Sequence, residues 1–434
     1  MQVSLTATGG LERRLEVAIP AAQVDGEVTQ RLNKISRTAR LKGFRPGKAP
    51  IAVIRQQYGE QVQSEVINDL MRASFSEAVQ REKLNPAGGP RIEPIAMSPG
   101  ADIKYAAVFE VLPEVRLAPA ADIAIDKPVA DVNDKDVDAM IDQLRKQRPA
   151  FNEVARAAQA NDRVTVDFTG TIDGAGFDGG SGQAVPIVIG AGRVMKEFED
   201  ALIGATAGDG REFTATFAAE HTNKELAGKQ AKFSVQVSKV EEQSPAPLDE
   251  EFAKGFGIAD GNLDSLRTEV RANMERELGE AVRLRLRTQV LEQLYTRNPL
   301  ELPRQLVEEQ IQELQVEMLR RAGARDAKQL PPREPFEQPA RRRVALSLLM
   351  SELVRQANLK VSRESVQEKL NDLAASYSNP EEVRRAYLQN ADSMRQIEAQ
   401  VLEQQAIDWV LGQAKVTEKP STFSELTQFG QAEA

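Results

Sequence analysis

Eight basic side chains (Arg31, Lys34, Arg37, Arg40, Lys42, Arg45, Lys48 and Arg55) fall between Val28 and Gly59, a stretch without Asp or Glu, in a chain of net charge -9. Such a cluster suits the neutralisation of phosphates, an attraction that weakens as salt rises. At its centre lies GFRPGKAP, residues 43–50, where Phe44 has no apolar neighbour in sequence. Glycine and proline turns can hold such a ring out toward an RNA or protein surface. The same residues fit a capped helix–helix turn whose phenylalanine folds back onto its own helices, and the residues alone leave both readings open.

The remaining composition removes much familiar chemistry. With no cysteine and a single histidine, His221, disulfides and thiol catalysis are excluded, and zinc, haem and Ser-His or Cys-His sites lose their ligands or bases. No GxxxxGK[ST] occurs, so action without ATP is expected. The acidic balance argues against coating nucleic acid over the whole surface, so any such contact is local. No apolar run is long enough for a membrane span and the N-terminus lacks a signal-peptide pattern, so a cytosolic protein is expected. Seven of fifteen phenylalanines lie between Phe151 and Glu242, among glycine-rich turns (FTGTIDGAGFDGG) and short runs such as RVTVDF, REFTATF and AKFSVQVSKV. This predicts a small β domain with an aromatic interior or pocket. Rings that serve only as core satisfy the same pattern.

A chain of 434 residues exceeds what one core normally serves. Val24, Val28, Leu32 and Ile35, then Ile51, Ile54, Val62, Val66 and Leu70, recur at helical spacing on either side of GFRPGKAP. Gly43 suits the position after a helix and Pro50 a first helical turn. With alternating stretches near 11–19 and 103–111, residues 1–112 read as an α+β domain. Residues 113–149 read as an extended linker followed by a helix capped by Asn133 and running to about Gln147. Residues 150–245 form the β domain. From 246 to 434 the pattern is helical, with stripes at Leu263, Leu266, Val270, Met274 and Leu278, at Val307, Ile311, Leu314 and Met318, and at Val366, Leu370, Leu373 and Tyr377. Narrow apolar faces and abundant charge suggest arms, interrupted by PPREPFEQPARRR, whose arginines read as a solvated helix start.

Taken in order, GFRPGKAP, RVTVDFTGTIDGAGFDGG, GRVMKEFEDAL, FGIADGNLDSLRTEVRANMERELGEAVR and AKVTEKPSTFSEL resemble the bacterial trigger factor family of ribosome-associated chaperones with peptidyl-prolyl isomerase activity. The resemblance covers essentially the whole chain. It implies a ribosome-docking loop of Gly43, Phe44, Arg45, Pro46, Gly47 and Lys48. Pro46 stands where the family is often basic, which removes a charge and stiffens the loop. The resemblance further implies an FKBP-type isomerase pocket of Phe168, Phe177, Asp178, Val194, Met195, Phe198, Phe217, His221 and Phe233. In it Phe198 would be a floor, Phe168 and Phe233 walls, Asp178 a polar partner at the rim, and the Val194–Met195 backbone a docking edge. Lys196-Glu197 replaces a frequent Pro-Gly, and His221 a frequent tyrosine.

The implied fold class is multidomain α+β: an α+β docking domain, a small FKBP-like antiparallel β domain with a short helix, and a helical C-terminal domain with arms. Residues 113–149 are expected to pack with the C-terminal helices, with the isomerase domain as an insertion. Implied partners are large-subunit ribosomal protein and RNA near the exit tunnel and nascent or unfolded polypeptides, with no membrane, cofactor or metal; a homodimer of the free protein stays open. Two other readings compete: a free cytosolic prolyl isomerase with client-recruiting arms, and a helical scaffold with a decayed isomerase domain.

Overall fold

A computed structural model describes residues 2–39, 41, 44, 49–98, 100–218, 220, 223–224, 226–323, 330–375, 377 and 379–429. The expected site residues Gly43, Arg45, Pro46, Gly47, Lys48 and His221 lie outside the described residues. In chain order the elements are β1 (Gln2–Gly9), β2 (Glu12–Ile19), α1 (Ala21–Thr38), α2 (Ile51–Arg81), β3 (Arg91–Ala96), β4 (Ile103–Glu110), β5 (Ala124–Val129), α3 (Asp134–Gln147), β6 (Ala150–Glu153), β7 (Arg163–Ile172), β8 (Ala175–Val188) and α4 (Lys196–Leu202). There follow β9 (Gly210–Thr216), β10 (Gln230–Ser244), α5 (Glu250–Gly255), α6 (Leu263–Arg297), α7 (Arg304–Arg321), α8 (Glu334–Gln356), α9 (Arg363–Ala375), α10 (Pro380–Gln389), α11 (Ala391–Gln413), β11 (Lys415–Pro420) and α12 (Phe423–Thr427). They belong to two units, Met1–Lys127 with Leu284–Glu418, and Pro128–Arg283 with Lys419–Ala434.

In the first unit an antiparallel sheet of order β1-β2-β4-β3 packs against α1 and α2. Leu15, Val17 and Ile19 of β2 face inward with Leu32, Ile54, Val62 and Val66 of the two helices, so the helical spacing does find the buried face. Ile51 is exposed instead, because Pro50 is the N-cap rather than part of the first turn and Ile51 therefore stands at the helix's open end. Tyr105 is wholly buried. Its hydroxyl lies 2.8 Å from that of Ser74 and donates to the Met71 carbonyl at 3.0 Å, which meets the need of a buried polar group for a partner.

The helices of this unit form three further cores. Ile123 and Ile125 pack with Val290, Leu294, Leu353, Ala406, Ile407 and Val410, and the Lys415 N–H donates to the Ile123 carbonyl. Helices α7 and α8 close around Val307, Ile311, Ala340 and Val344, and Leu370 meets Ile397 and Val401. PPREPFEQPARRR does not interrupt the helices: from Glu334 it is the beginning of α8, with Pro335 in the first turn, where a proline is well suited, and Pro339 inside, where it removes one backbone hydrogen bond. Its arginines are exposed but not simply solvated, since Arg342 pairs with Glu292 and Arg343 with Glu317.

In the second unit the sheet runs β6-β10-β7-β8, with β9 also paired to β10, all antiparallel. Val164, Val166, Ile187, Ile189, Leu202, Val235 and Val237 build its core. Asn133 caps α3 in a reciprocal capping box with Asp136, and α3 buries Val137 and Ile141 against Leu266, Val270, Met274 and Leu278 of α6.

Candidate active site

Strand alternation in the β domain sends one set of phenylalanines to a common place. Phe168 of β7 meets Phe198 of α4 edge to face, centroids 5.5 Å apart, and Phe198 meets Phe233 of β10 at 5.5 Å. Phe177 of β8 contacts Phe233 at 6.2 Å and Phe217 at 5.8 Å, both nearly perpendicular. Such T-shaped contacts are the arrangement aromatic quadrupoles favour. Phe198 and Phe233 are buried, while Phe168, Phe177 and Phe217 are half-buried and carry the cluster toward solvent.

The glycines of the β7–β8 hairpin make room for these rings. A Cβ on Gly170 would stand 2.6 Å from the Phe233 ring, one on Gly182 2.7 Å from Phe168, and one on Gly180 2.9 Å from Phe177. Glycine in a strand often marks such a close approach.

Val194 and Met195 are half-buried against the same core, and Met195 is the N-cap of α4. Lys196 and Glu197 are exposed in the helix's first turn. Asp178 follows Phe177 on β8 and is exposed. The resemblance did not include Phe213 of β9, which stacks on Phe233 at 5.6 Å and meets Phe198 edge to face at 5.0 Å. The signal was present in REFTATF, where Phe213, Ala215 and Phe217 alternate on one face.

Away from the rings, two buried carboxylates brace the sheet. Glu241 takes two hydrogen bonds from Arg163, at 2.6 and 2.9 Å, and one from Lys239 at 2.8 Å. The Arg163 hydrogen bonds, outweighing burial and joined by Lys239, lower its pKa to about 2. Arg163 also lies over the Phe151 ring, 4.2 Å from its centroid. Burial pushes Asp162 up, yet Arg156 and the Gln159 N–H together hold it below its ordinary value.

Two other features belong to the first unit. Phe44, between α1 and α2, is 39% exposed, with its N–H donating to the Leu41 carbonyl, and the two helices are tied by Arg31 and Asp69 at 3.0 Å. Helices α6, α8 and α11 enclose a groove of about 880 Å³, with Leu291, Leu346, Met350, Val354 and Leu402 among its lining and Arg287 and Arg342 at its margin.

Comparison with known proteins fits this arrangement. Residues 1–144 match the family model for bacterial trigger factor protein, and residues 262–412 that for its C-terminus. The trigger factor of Stutzerimonas stutzeri (strain A1501) is 42% identical over 432 residues, covering 100% of this chain and 99% of the relative. The chain belongs to the trigger factor family. That of Pseudomonas savastanoi pv. phaseolicola (strain 1448A / Race 6) is 43% identical over 425 residues, 98% of each chain. A solved structure of the trigger factor chaperone shares the fold, at a TM-score of 0.55 and 18% identity over 95% of this chain and 99% of that one. Residues 154–238, which hold the ring cluster, match the FKBP-type peptidyl-prolyl cis-trans isomerase model. The isomerase match thus lies, in sequence, between the two trigger factor matches.

Proposed function

We propose that this protein docks on the ribosome near the exit tunnel, holds emerging polypeptides without ATP, and isomerises Xaa-Pro bonds within them. The observation that carries the docking reading is Phe44, exposed between α1 and α2 in the acid-free basic stretch. An exposed ring among cations combines salt-sensitive phosphate attraction with apolar or stacking contact, and the Arg31–Asp69 tie supports a stiff presentation. Gly43, Arg45, Pro46, Gly47 and Lys48 complete the docking set. In the division we adopt, residues 1–112 bind the ribosome, 113–149 link, 150–245 isomerise, and 246–434 hold clients, in the cytoplasm. The groove of α6, α8 and α11 offers apolar surface with charge around it, suited to weak binding of many sequences; self-association of free protein would cover the same surfaces.

Isomerisation needs no nucleophile or metal. Rotation about the amide bond faces a barrier of about 18–20 kcal/mol from resonance, which water sustains by solvating the planar, charge-separated form. Phe198 as floor, with Phe168 and Phe233 as walls, would receive the proline ring and exclude that water. Phe177, Phe217 and His221 would line the outer part, Asp178 would meet a polar group at the rim, and the Val194–Met195 backbone would hold the neighbouring peptide.

The decisive experiment is ribosome co-sedimentation at low and moderate salt, comparing the wild type with a folded Phe44→Ala, Arg45→Ala, Lys48→Ala variant. We expect wild type to pellet, less so at higher salt, and the variant to stay in solution; equal pelleting would move docking elsewhere.

A further inference from the structure

One buried carboxyl of the isomerase domain takes no part in the ring cluster. Glu199 follows Phe198 on α4, is 9% exposed, and its Oε1 accepts the backbone N–H of Gly192 at 2.9 Å. A glutamate is seldom enclosed unless its polar end has a partner. Gly192 sits in the segment leading to Val194 and Met195, and both Gly190 (φ +88°) and Gly192 (φ +66°) are left-handed, conformations that glycine adopts readily and whose backbone has no Cβ to hold it in place. The upstream end is held where Ile189 N–H donates to the Asp162 carbonyl and Asn161 N–H to the Ile189 carbonyl. The downstream end is held where Phe198 and Glu199 N–H groups donate to the Met195 carbonyl. Between these anchors the Glu199 side chain ties the middle of the loop back to the helix that carries Phe198.

We propose that Glu199 is a positioning residue for isomerisation, pinning Gly192 so that the Val194–Met195 backbone stands at a fixed place beside the Phe198 floor. The inference rests on the reading above, in which that edge receives the substrate backbone. Adjacent residues of one short helix would then set both surfaces, one by its ring and the other by its carboxyl. An aliphatic side chain at 199 fills the space but leaves the Gly192 N–H to water and the loop loose on its two glycines. Because the edge holds the peptide alike in its planar and twisted forms, loosening it weakens binding more than the chemical step.

The test compares full-length wild type with Glu199→Leu, Glu199→Gln and Phe198→Ala, by steady-state isomerisation of a short Xaa-Pro peptide and by hydrogen–deuterium exchange at the Gly192 amide. Glu199→Leu is expected to raise KM about fivefold or more with kcat within about twofold, and to speed exchange at Gly192 about tenfold. Glu199→Gln, which keeps an acceptor oxygen, should restore both to near the wild-type values. A folded Glu199→Leu variant with wild-type KM overturns the proposal, as does a Gln variant that fails like Leu. Phe198→Ala as active as the wild type would instead strike the underlying reading of the ring floor, and the Leu-against-Gln comparison of KM would still decide the role of Glu199.

Discussion

Phe213 lies nearly parallel on Phe233, with planes 20° apart. Phe233 also contacts Phe168, Phe177 and Phe198, so Phe213 backs the ring at the centre of the cluster. Phe213→Ala should cost about 3 kcal/mol of domain stability, the low end for a phenylalanine truncation because the side chain is half-buried. It should also lower isomerase turnover by letting Phe233 shift. Thermal melting together with a peptide assay checks both effects, and unchanged melting would mean the stack contributes nothing.

Gly170→Ala drives a methyl into the Phe233 ring and to 3.2 Å from the Gly180 carbonyl. Overpacking of this kind costs about 1–3 kcal/mol, and the displaced ring should reduce kcat/KM at least tenfold. Gly176→Ala on the same hairpin meets nothing within 4 Å and should be silent in the same assay.

The Arg163–Glu241 pair gives the β domain an acid limit. Folding lowers the Glu241 pKa from 4.5 to about 2, so its stabilising contribution is full above about pH 4.5 and lost as pH falls toward 2. It amounts to about 2 kcal/mol, reduced from the full shift because Arg163 is a third exposed. Denaturation of Glu241→Gln and wild type should therefore differ by roughly that amount at pH 7 and converge near pH 2. A constant difference across that range would contradict it.

Tyr105→Phe removes the hydroxyl bonded to Ser74 and the Met71 carbonyl. We expect a loss of about 1–2 kcal/mol, read by denaturation, with prolyl isomerisation unchanged because the residue belongs to another core. A simultaneous fall in kcat would show that the two cores are coupled.

Where one physical rule governed a segment, the sequence announced it. Asn133 ahead of helically spaced Val137 and Ile141 is the start of α3. β1 carries no strand signal because it is exposed over nearly its whole length and so has no inward alternation, and β3 carries none because Pro94 interrupts an otherwise strand-like run. The helical stripes run too far, since Met318 is more than half exposed near the end of α7, and Tyr377, likewise exposed, lies beyond α9, which ends at Ala375. Phe213 was visible in pattern but not in motif. Glu199 was invisible to pattern, because a glutamate in a helix normally faces water and only the fold brings the Gly192 N–H to it.

The Ile123–Lys415 hydrogen bond carries a temporal consequence. Ile123 finds its apolar neighbours on α6, α8 and α11, and the last of these ends only at Gln413. During synthesis the core around Ile123 cannot be completed until α11 has been made, and contacts so distant in sequence form slowly. Residues 154–238, which match the isomerase model, are therefore made while this core is still open.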